Sequence, residues 1–340
     1  NLRHSVILAC FSVEALSSTT MLVYAGIDEA GYGPMFGPLC VGASVLVLEN
    51  YDPARGEPDL WDILSSAICK KRSDKQKRIA VNDSKKLKSG STPKGLKHLE
   101  RGVLAFMVAA GHDKPLLDRD FFEATESYIP TNPWSSLEVP LPIAVDPKSL
   151  QIDIACLDRA LLNSGVRCDW ISCRAIDVKD YNQRTTLASK AALNLAMAMQ
   201  LVESIAKRWH YEHPRIMIDR HGGRIRYRQD LQQAWPEANI QILAENNKMS
   251  RYRLNDEGRK VTITFASKSD EKHMPVALAS MVAKFTRELH MMRFNRYFAS
   301  LVPDIKPTAG YVQDGRRFLK EIEPILQKNN LHRESLIRNS

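Results

Sequence analysis

The chain has 340 residues, 44% hydrophobic and 26% charged, with a formal net charge of +9. Those proportions suit a globular protein with a sizeable core, and the positive balance points to a polyanionic partner. No apolar run approaches the roughly 20 residues of a membrane span, and the six cysteines form no CxxC or Cys/His cluster of zinc spacing, so the expectation is a soluble, cytoplasmic protein with reduced thiols and no membrane partner.

Residues 1–20 carry Arg3 ahead of SVILACFSV, but Glu14 interrupts the apolar region and no A-x-A-like site follows. With Met21 directly before the first strand, they read as a leader, disordered or not native. Residues 22–38, LVYAGIDEAGYGPMFGP, organise the rest. An apolar strand drives into the adjacent acids Asp28 and Glu29, and Gly31, Gly33, Pro34, Gly37 and Pro38 follow. Neighbours on a strand point to opposite faces, so the two acids are expected to share a site because the strand ends there. Buried carboxylates need a cation against them.

Residues 39–48 read as a second strand paired to the first. A basic run follows (Lys70, Lys71, Arg72, Lys75, Lys77, Arg78): a solvated face, or a phosphate track beside a nucleic-acid site. NDSKKL at 82–87 opens on Asp83 and Ser84 as a helix start. An amphipathic helix is expected over 93–110, with Leu96, Leu99, Val103 and Met107 inward. Residues 111–163 are proline-rich and acidic, and read as an insertion of unassigned role. A strand over 170–178 and a buried helix over 185–205 come next. Residues 215–219, RIMID, read as a strand whose all-apolar run Ile216–Ile218 ends on Asp219, followed by the glycine-rich, basic RHGGR. Further strands are expected at 240–244 and 261–265, with a basic hairpin or loop around Tyr252 between them. A helix follows ASKSDEKHMP, with Ala277, Met281 and Phe285 inward and Lys284, Arg287 and Glu288 outward. Tyr311 reads as a late loop aromatic, and the remainder is helical, then frayed.

GIDEAGYGP resembles the signature that opens type 2 ribonucleases H (ribonuclease HII), with Tyr32 where that family has Arg. Four more islands occur in the family's order: DSKKL, the strand ending on Asp219, the Lys268–Glu288 stretch with its Lys-x-acid, Pro-Val, Ala-Ser and Ala-Lys-x-Thr-Arg pattern, and Ala309-Gly310-Tyr311. Counting back from Ala279-Ser280 puts the family's fourth acid on Asp270 rather than Glu271. RHGGR, longer than the family's Asp-Gly, is a departure. The resemblance implies an α/β ribonuclease H-like fold, a mixed five-stranded sheet flanked by helices. It would span residues 21–325, with the insertion at about 111–163 and a tail over 326–340.

The resemblance further implies a monomeric endonuclease acting on RNA–DNA hybrids or ribonucleotide-containing duplex DNA. Asp28, Glu29, Asp219 and Asp270 would be catalytic and metal-ligating. Oxygen-only ligands suit Mg2+ or Mn2+, and two such ions would activate water and stabilise the leaving oxygen. Gly31, Tyr32, Gly33, Ser84, Lys85, Lys86, Lys284, Arg287 and Tyr311 would contact nucleic acid, with glycine amides reaching the 2′-hydroxyl. His221 and His273 lie near the acids and read as loop histidines or proton-transfer aids. Two rivals remain: a DNA or junction nuclease on the same fold, and an inactive nucleic-acid-binding protein. Clustered negative charge argues against the second. A nucleotide-binding protein fails for want of a phosphate-binding glycine motif.

Overall fold

The computed structural model of the protein describes residues 21–90, 92–220 and 222–339. The leader expected over 1–20 and His221 lie outside the described residues. The strands are β1 (Leu22–Ala30), β2 (Leu39–Leu48), β3 (Ile68–Cys69), β4 (Ile79–Ala80), β5 (Val166–Ile176), β6 (Arg215–Asp219), β7 (Asn239–Glu245), β8 (Met249–Asp256) and β9 (Arg259–Ala266). Between and after them come α1 (Leu60–Ile63), α2 (Ser84–Leu87), α3 (Lys97–Ala109), α4 (Asp118–Ala124), α5 (Pro147–Asn163), α6 (Val178–Thr185) and α7 (Lys190–Arg208). The last four helices are α8 (Arg228–Ala234), α9 (Ser269–Lys272), α10 (Met274–Leu301) and α11 (Val312–Lys328).

The main sheet runs β5-β2-β1-β6-β9-β8-β7. β1, β2 and β5 pair antiparallel, whereas β6 lies parallel to β1 and β9 parallel to β6. The mixed sheet expected from the sequence is therefore present, but with seven strands rather than five. The extra pair is the β7–β8 hairpin, which carries the antiparallel series on from β9. Of the hairpin or loop expected around Tyr252, the structure has the hairpin, with β8 a full strand paired to both β7 and β9. Arg251 and Arg253 alternate with wholly buried Tyr252, the period-2 pattern of a strand with one covered face.

Both faces of β1 are covered. Leu22 and Tyr24 join one hydrophobic cluster with α10, whereas Val23, Ala25 and Ile27 join another with α7. The fit to α10 is close enough to demand glycine. A Cβ on Gly26 would lie 2.2 Å from the Pro275 backbone, and one on Gly42 would lie 2.3 Å from the Ala279 carbonyl oxygen. α10 is buried around nearly its whole circumference, as a helix in the middle of a core must be. The outward placement expected for Lys284, Arg287 and Glu288 is thus overturned: all three are buried, because further layers cover that side of α10.

The helix expected over 185–205 is present but starts later, as α7 from Lys190, after α6 has ended at Thr185. Ser189 accepts from the Ala192 N–H and caps a fresh start at α7. Residues 111–163 are built into the fold. Phe121 and Phe122 enter the main core, and Trp134 packs on Phe294 of α10. The carboxylate of Asp118 takes two hydrogen bonds, of 2.6 and 2.7 Å, from buried Arg293. A boundary at 325/326 falls inside α11, and the expected frayed tail is anchored instead, with Leu336 and Arg338 both buried.

Candidate active site

The first correction concerns why Asp28 and Glu29 share a site. β1 does not stop before them, because its pairing with β2 continues to Ala30↔Cys40. Its pairing with β6, however, ends at Ile27↔Ile218. Beyond that register the β6-side edge of β1 is open, and a cleft of about 270 Å³ there is lined by both acids. Asp28 lies on the face of Tyr24 and Gly26, toward α10, beside Ser280, whose hydroxyl donates to Ser84 at 3.1 Å. Glu29 lies on the opposite face, toward α7, where buried Asn194 is its neighbour and holds its pKa down against the rise from burial.

Asp219, the last residue of β6, and Asp270, in the first turn of α9, line the same cleft. Lys268 adopts a left-handed conformation (φ 56°) that turns the chain after β9. The Ser269 N–H then donates to Asp219 at 2.9 Å, fixing α9 against the end of β6. Four acids from three distant stretches of sequence therefore reach one cavity.

Their electrostatics follow from this crowding. Burial, then the charges of Glu29 and Asp219, push Asp28 well above the usual carboxylate range. Burial also raises Glu29 and Asp219. Asp270 is pushed up to about 6 by burial and by the charges of Asp83, Asp219 and Glu271. Lys85, also on the cleft wall, opposes the rise at Glu29 and Asp219 through its positive charge. Glu271 points elsewhere: its carboxylate pairs with Lys86 at 2.9 Å and is held below its ordinary range.

Gly31, Tyr32, Gly33, Ser84, Lys85, Lys284 and Tyr311 all line the cleft. Tyr32 and Tyr311 are 38% and 51% exposed, and the Lys190 ammonium sits 4.4 Å from the centre of the Tyr32 ring. Lys284 is tied to Glu288 at 2.7 Å, which also pairs with Lys88 at 2.8 Å.

One expectation fails. Arg287 is fully buried and donates to the Phe36 and Ala309 carbonyls at 2.9 and 3.0 Å, so it braces two loops and cannot touch a ligand. Lys86 lies just beyond the cleft lining, exposed and paired with Glu271 at 2.9 Å, and its charge acts on Asp270. Gly31 has a structural reason to be glycine: at φ 86°, a Cβ would meet Arg287 at 2.6 Å and the Pro38 oxygen at 2.8 Å. His273 is absent from the cleft lining and is hydrogen-bonded to the Tyr24 hydroxyl instead.

Sequence reasoning missed three contributors. Asp83 caps α2 and lines the cleft, so its reading as a helix start was incomplete. Asn194 looked like an ordinary helix residue. Arg338, three residues from the end, donates to the carbonyls of Gly37, Gly31 and Pro38 at 2.8, 2.6 and 3.0 Å. Its guanidinium clamps the glycine loop from behind, and no local pattern in LIRNS announces that.

The residues present can be tested for a fit to a metal. Among the described residues, no three His, Cys, Asp or Glu side chains converge tightly enough to cage an ion. The donor set is nevertheless all oxygen, and its carboxylates are raised by burial and by one another, a penalty that a cation relieves. Mg2+ takes only one or two carboxylates and fills its remaining positions with water and substrate phosphate. An open, acidic cleft suits that mode rather than a closed cage.

No protein-family model and no curated protein matches the sequence. Among solved structures, the chain is similar to the ribonuclease HII of Archaeoglobus fulgidus, solved with PCNA, at 16% identity and TM-score 0.41, covering 93% of this chain and 94% of that one. It is similar to the ribonuclease H2 of Pyrococcus horikoshii OT3 at 16% identity and TM-score 0.42, covering 93% and 92%. A Bst ribonuclease HIII in complex with Mn2+ is 16% identical, with a TM-score of 0.39 and coverage of 93% and 66%. The fold is a large mixed sheet flanked by helices. Among the described residues, no helix is long and apolar enough to cross a membrane.

Proposed function

We propose that this protein is a divalent-metal-dependent endonuclease that hydrolyses the RNA strand of RNA–DNA hybrids, including ribonucleotides embedded in duplex DNA. One observation carries the reading: Asp28, Glu29, Asp219 and Asp270 line a single open cleft in a chain of net charge +9. A site built only to bind phosphates would gain nothing from concentrated negative charge. A site that holds Mg2+ or Mn2+ against a phosphodiester requires it.

Asp28, Asp219 and Asp270, with Glu29 across the strand edge, would hold the ions. Bound there, the ions supply an activated water and stabilise the leaving oxygen. The chain's own side chains do the rest. Lys85 offsets part of the acids' repulsion and faces incoming phosphate. Tyr32 and Tyr311 present exposed rings on which a sugar or base can pack. Gly33 leaves its surroundings open, with no heavy atom within 4 Å of where a Cβ would sit, so a substrate backbone can approach it.

The deciding experiment offers Mg2+ or Mn2+ and two labelled substrates: a DNA duplex with one ribonucleotide, and a uniform RNA–DNA hybrid. Asp28→Asn serves as the control for contaminating nuclease. Cleavage of both, lost in the variant, is the expected result. Cleavage of the hybrid alone removes the embedded-ribonucleotide activity, which the Tyr32 replacement makes the more sensitive half of the proposal. Binding without cleavage of either substrate refutes the enzyme and leaves a nucleic-acid-binding protein.

A further inference from the structure

Beyond the active site, a second cleft of about 550 Å³ opens between the loop joining β3 to β4, the start of α3 and the exposed side of α5. Its lining includes Arg72, Lys77, Arg78, Lys97, His98 and Arg101. Two acids answer them. Asp74 is paired with Arg78 at 2.9 Å, and Asp153 of α5 is paired with Arg101. Arg72, Lys77 and Lys97 are exposed and have no carboxylate partner among the described residues. The cations face a common space: besides burial, the charges of Arg101, Lys97 and Arg72 lower the His98 pKa. Cations gathered round a cavity too roomy for a lone inorganic anion call for an extended polyanion.

The chain connects this cleft directly to the active site. Lys70, which begins the loop, donates to the Glu271 carbonyl oxygen at 3.1 Å, one residue from Asp270. Asn82 donates to the Lys70 carbonyl at 2.8 Å, one residue from cleft-lining Asp83. The basic stripe thus starts at the catalytic acids and ends in the second cleft, whose far wall is supplied by residues 145–156 of the stretch read as an insertion.

We infer that this cleft is a nucleic-acid exit site: the phosphate backbone of a duplex engaged at the catalytic acids continues along Lys70–Arg78 and is held by Arg72, Lys77 and Lys97. The inference rests on the catalytic cleft being a nucleic-acid site, and it gives residues 111–163 a function as one wall of the track. Duplex DNA carries a phosphate charge about every 1.7 Å of axis, so a stripe of this kind meets several.

The test compares the full chain with an R72Q/K77Q/K97Q variant, in chelator so that no cleavage intervenes. Two ribonucleotide-containing duplexes are used: one just long enough to fill the catalytic cleft, and one extended by about a helical turn, roughly 10 base pairs, on each side. The extended duplex should bind the variant about tenfold or more weakly at physiological salt, and its log K against log salt slope should fall by about 3, near one per cation removed. The short duplex should bind both proteins alike, which also reports that the variant is folded. Equal binding of the extended duplex by both proteins, with equal slopes, overturns the inference. Equal weakening on both duplexes also overturns it, since the three cations would then belong to the catalytic cleft. Failure of the hydrolytic reading is separable: a parent chain that cleaves nothing, yet shows the length-dependent loss, leaves this site standing.

Discussion

Two regions of this protein draw carboxylates in from the surface, and they treat them oppositely. At the junction of α4 and α10, Asp118 is fully buried and receives both arms of the Arg293 guanidinium. At the open edge of β1, Asp28 is half-buried beside other acids, and the cations nearby only partly answer them. Charge that is paired in place fixes an insertion to the core. Charge left short of partners stores repulsion that an incoming cation can release. The first arrangement serves stability, and the second costs stability and suits the cation-dependent reaction proposed for the cleft.

The comparison breaks most sharply at Asp28. Asp28→Asn should reduce hydrolysis on the order of 10³-fold or more, as expected when an ion worth several kcal/mol of transition-state stabilisation is displaced. In chelator it should raise the thermal midpoint, because the substitution removes a carboxylate whose ionised form the fold disfavours. A variant that is both inactive and less stable would mean Asp28 is a structural acid like Asp118.

Asp118→Ala should do the reverse, costing about 3–5 kcal/mol by leaving Arg293 buried and unpaired. Chemical denaturation reads that loss. A change under 1 kcal/mol would show that α4 is not anchored through this pair. Arg338→Met, which strips three carbonyls of a charged donor, should cost about 1.5–3 kcal/mol. It should also lower kcat through a loosened glycine loop, whereas a stability loss with unchanged kcat would confine Arg338 to packing.

A pH experiment sharpens the contrast. Asp270 has its folded pKa raised to about 6, so the stability it confers when protonated is present below about pH 4 and lost as pH rises through about 6. In chelator, Asp270→Asn should therefore gain stability relative to the parent chain as pH climbs past that range. Saturating Mg2+ should restore the parent, by about 2.7 kcal/mol at a hundred times the dissociation constant. A parent-to-variant difference that stays flat with pH would place Asp270 outside the coupled group. The smallest effect is expected next door. Glu271→Gln breaks only an exposed pair with Lys86, should cost under about 1 kcal/mol, and should change activity far less than Asp270→Asn does.

Much of this was legible before any coordinates. Apolar runs bounded by glycine and proline marked β1, β2, β6 and β9, because a strand buried on both faces writes itself as continuous hydrophobicity. Acids at the ends of such runs marked Asp28, Glu29 and Asp219 as cleft residues, since carboxylates are not spent beside a core without cause. The choice of Asp270 over Glu271 rested on the family resemblance; in the structure Asp270 lines the cleft and Glu271 pairs with Lys86 outside it.

What local sequence left undetermined depended on partners far along the chain. Arg287 and Lys284 look like surface charges on a helix until later layers cover that side of α10. β1 looks as if it must end at its acids, yet the site exists because β6 diverges while β2 does not. Arg338 binds a loop some 300 residues away, and nothing in its own neighbourhood encodes that. Periodicity and composition report what a segment needs to bury; they are silent on what will bury it. Element identity and the acids' involvement followed from the sequence by itself, whereas the strand edge left open, the cations sealed inside and the tail that clamps the loop were decided only when the chain closed on itself.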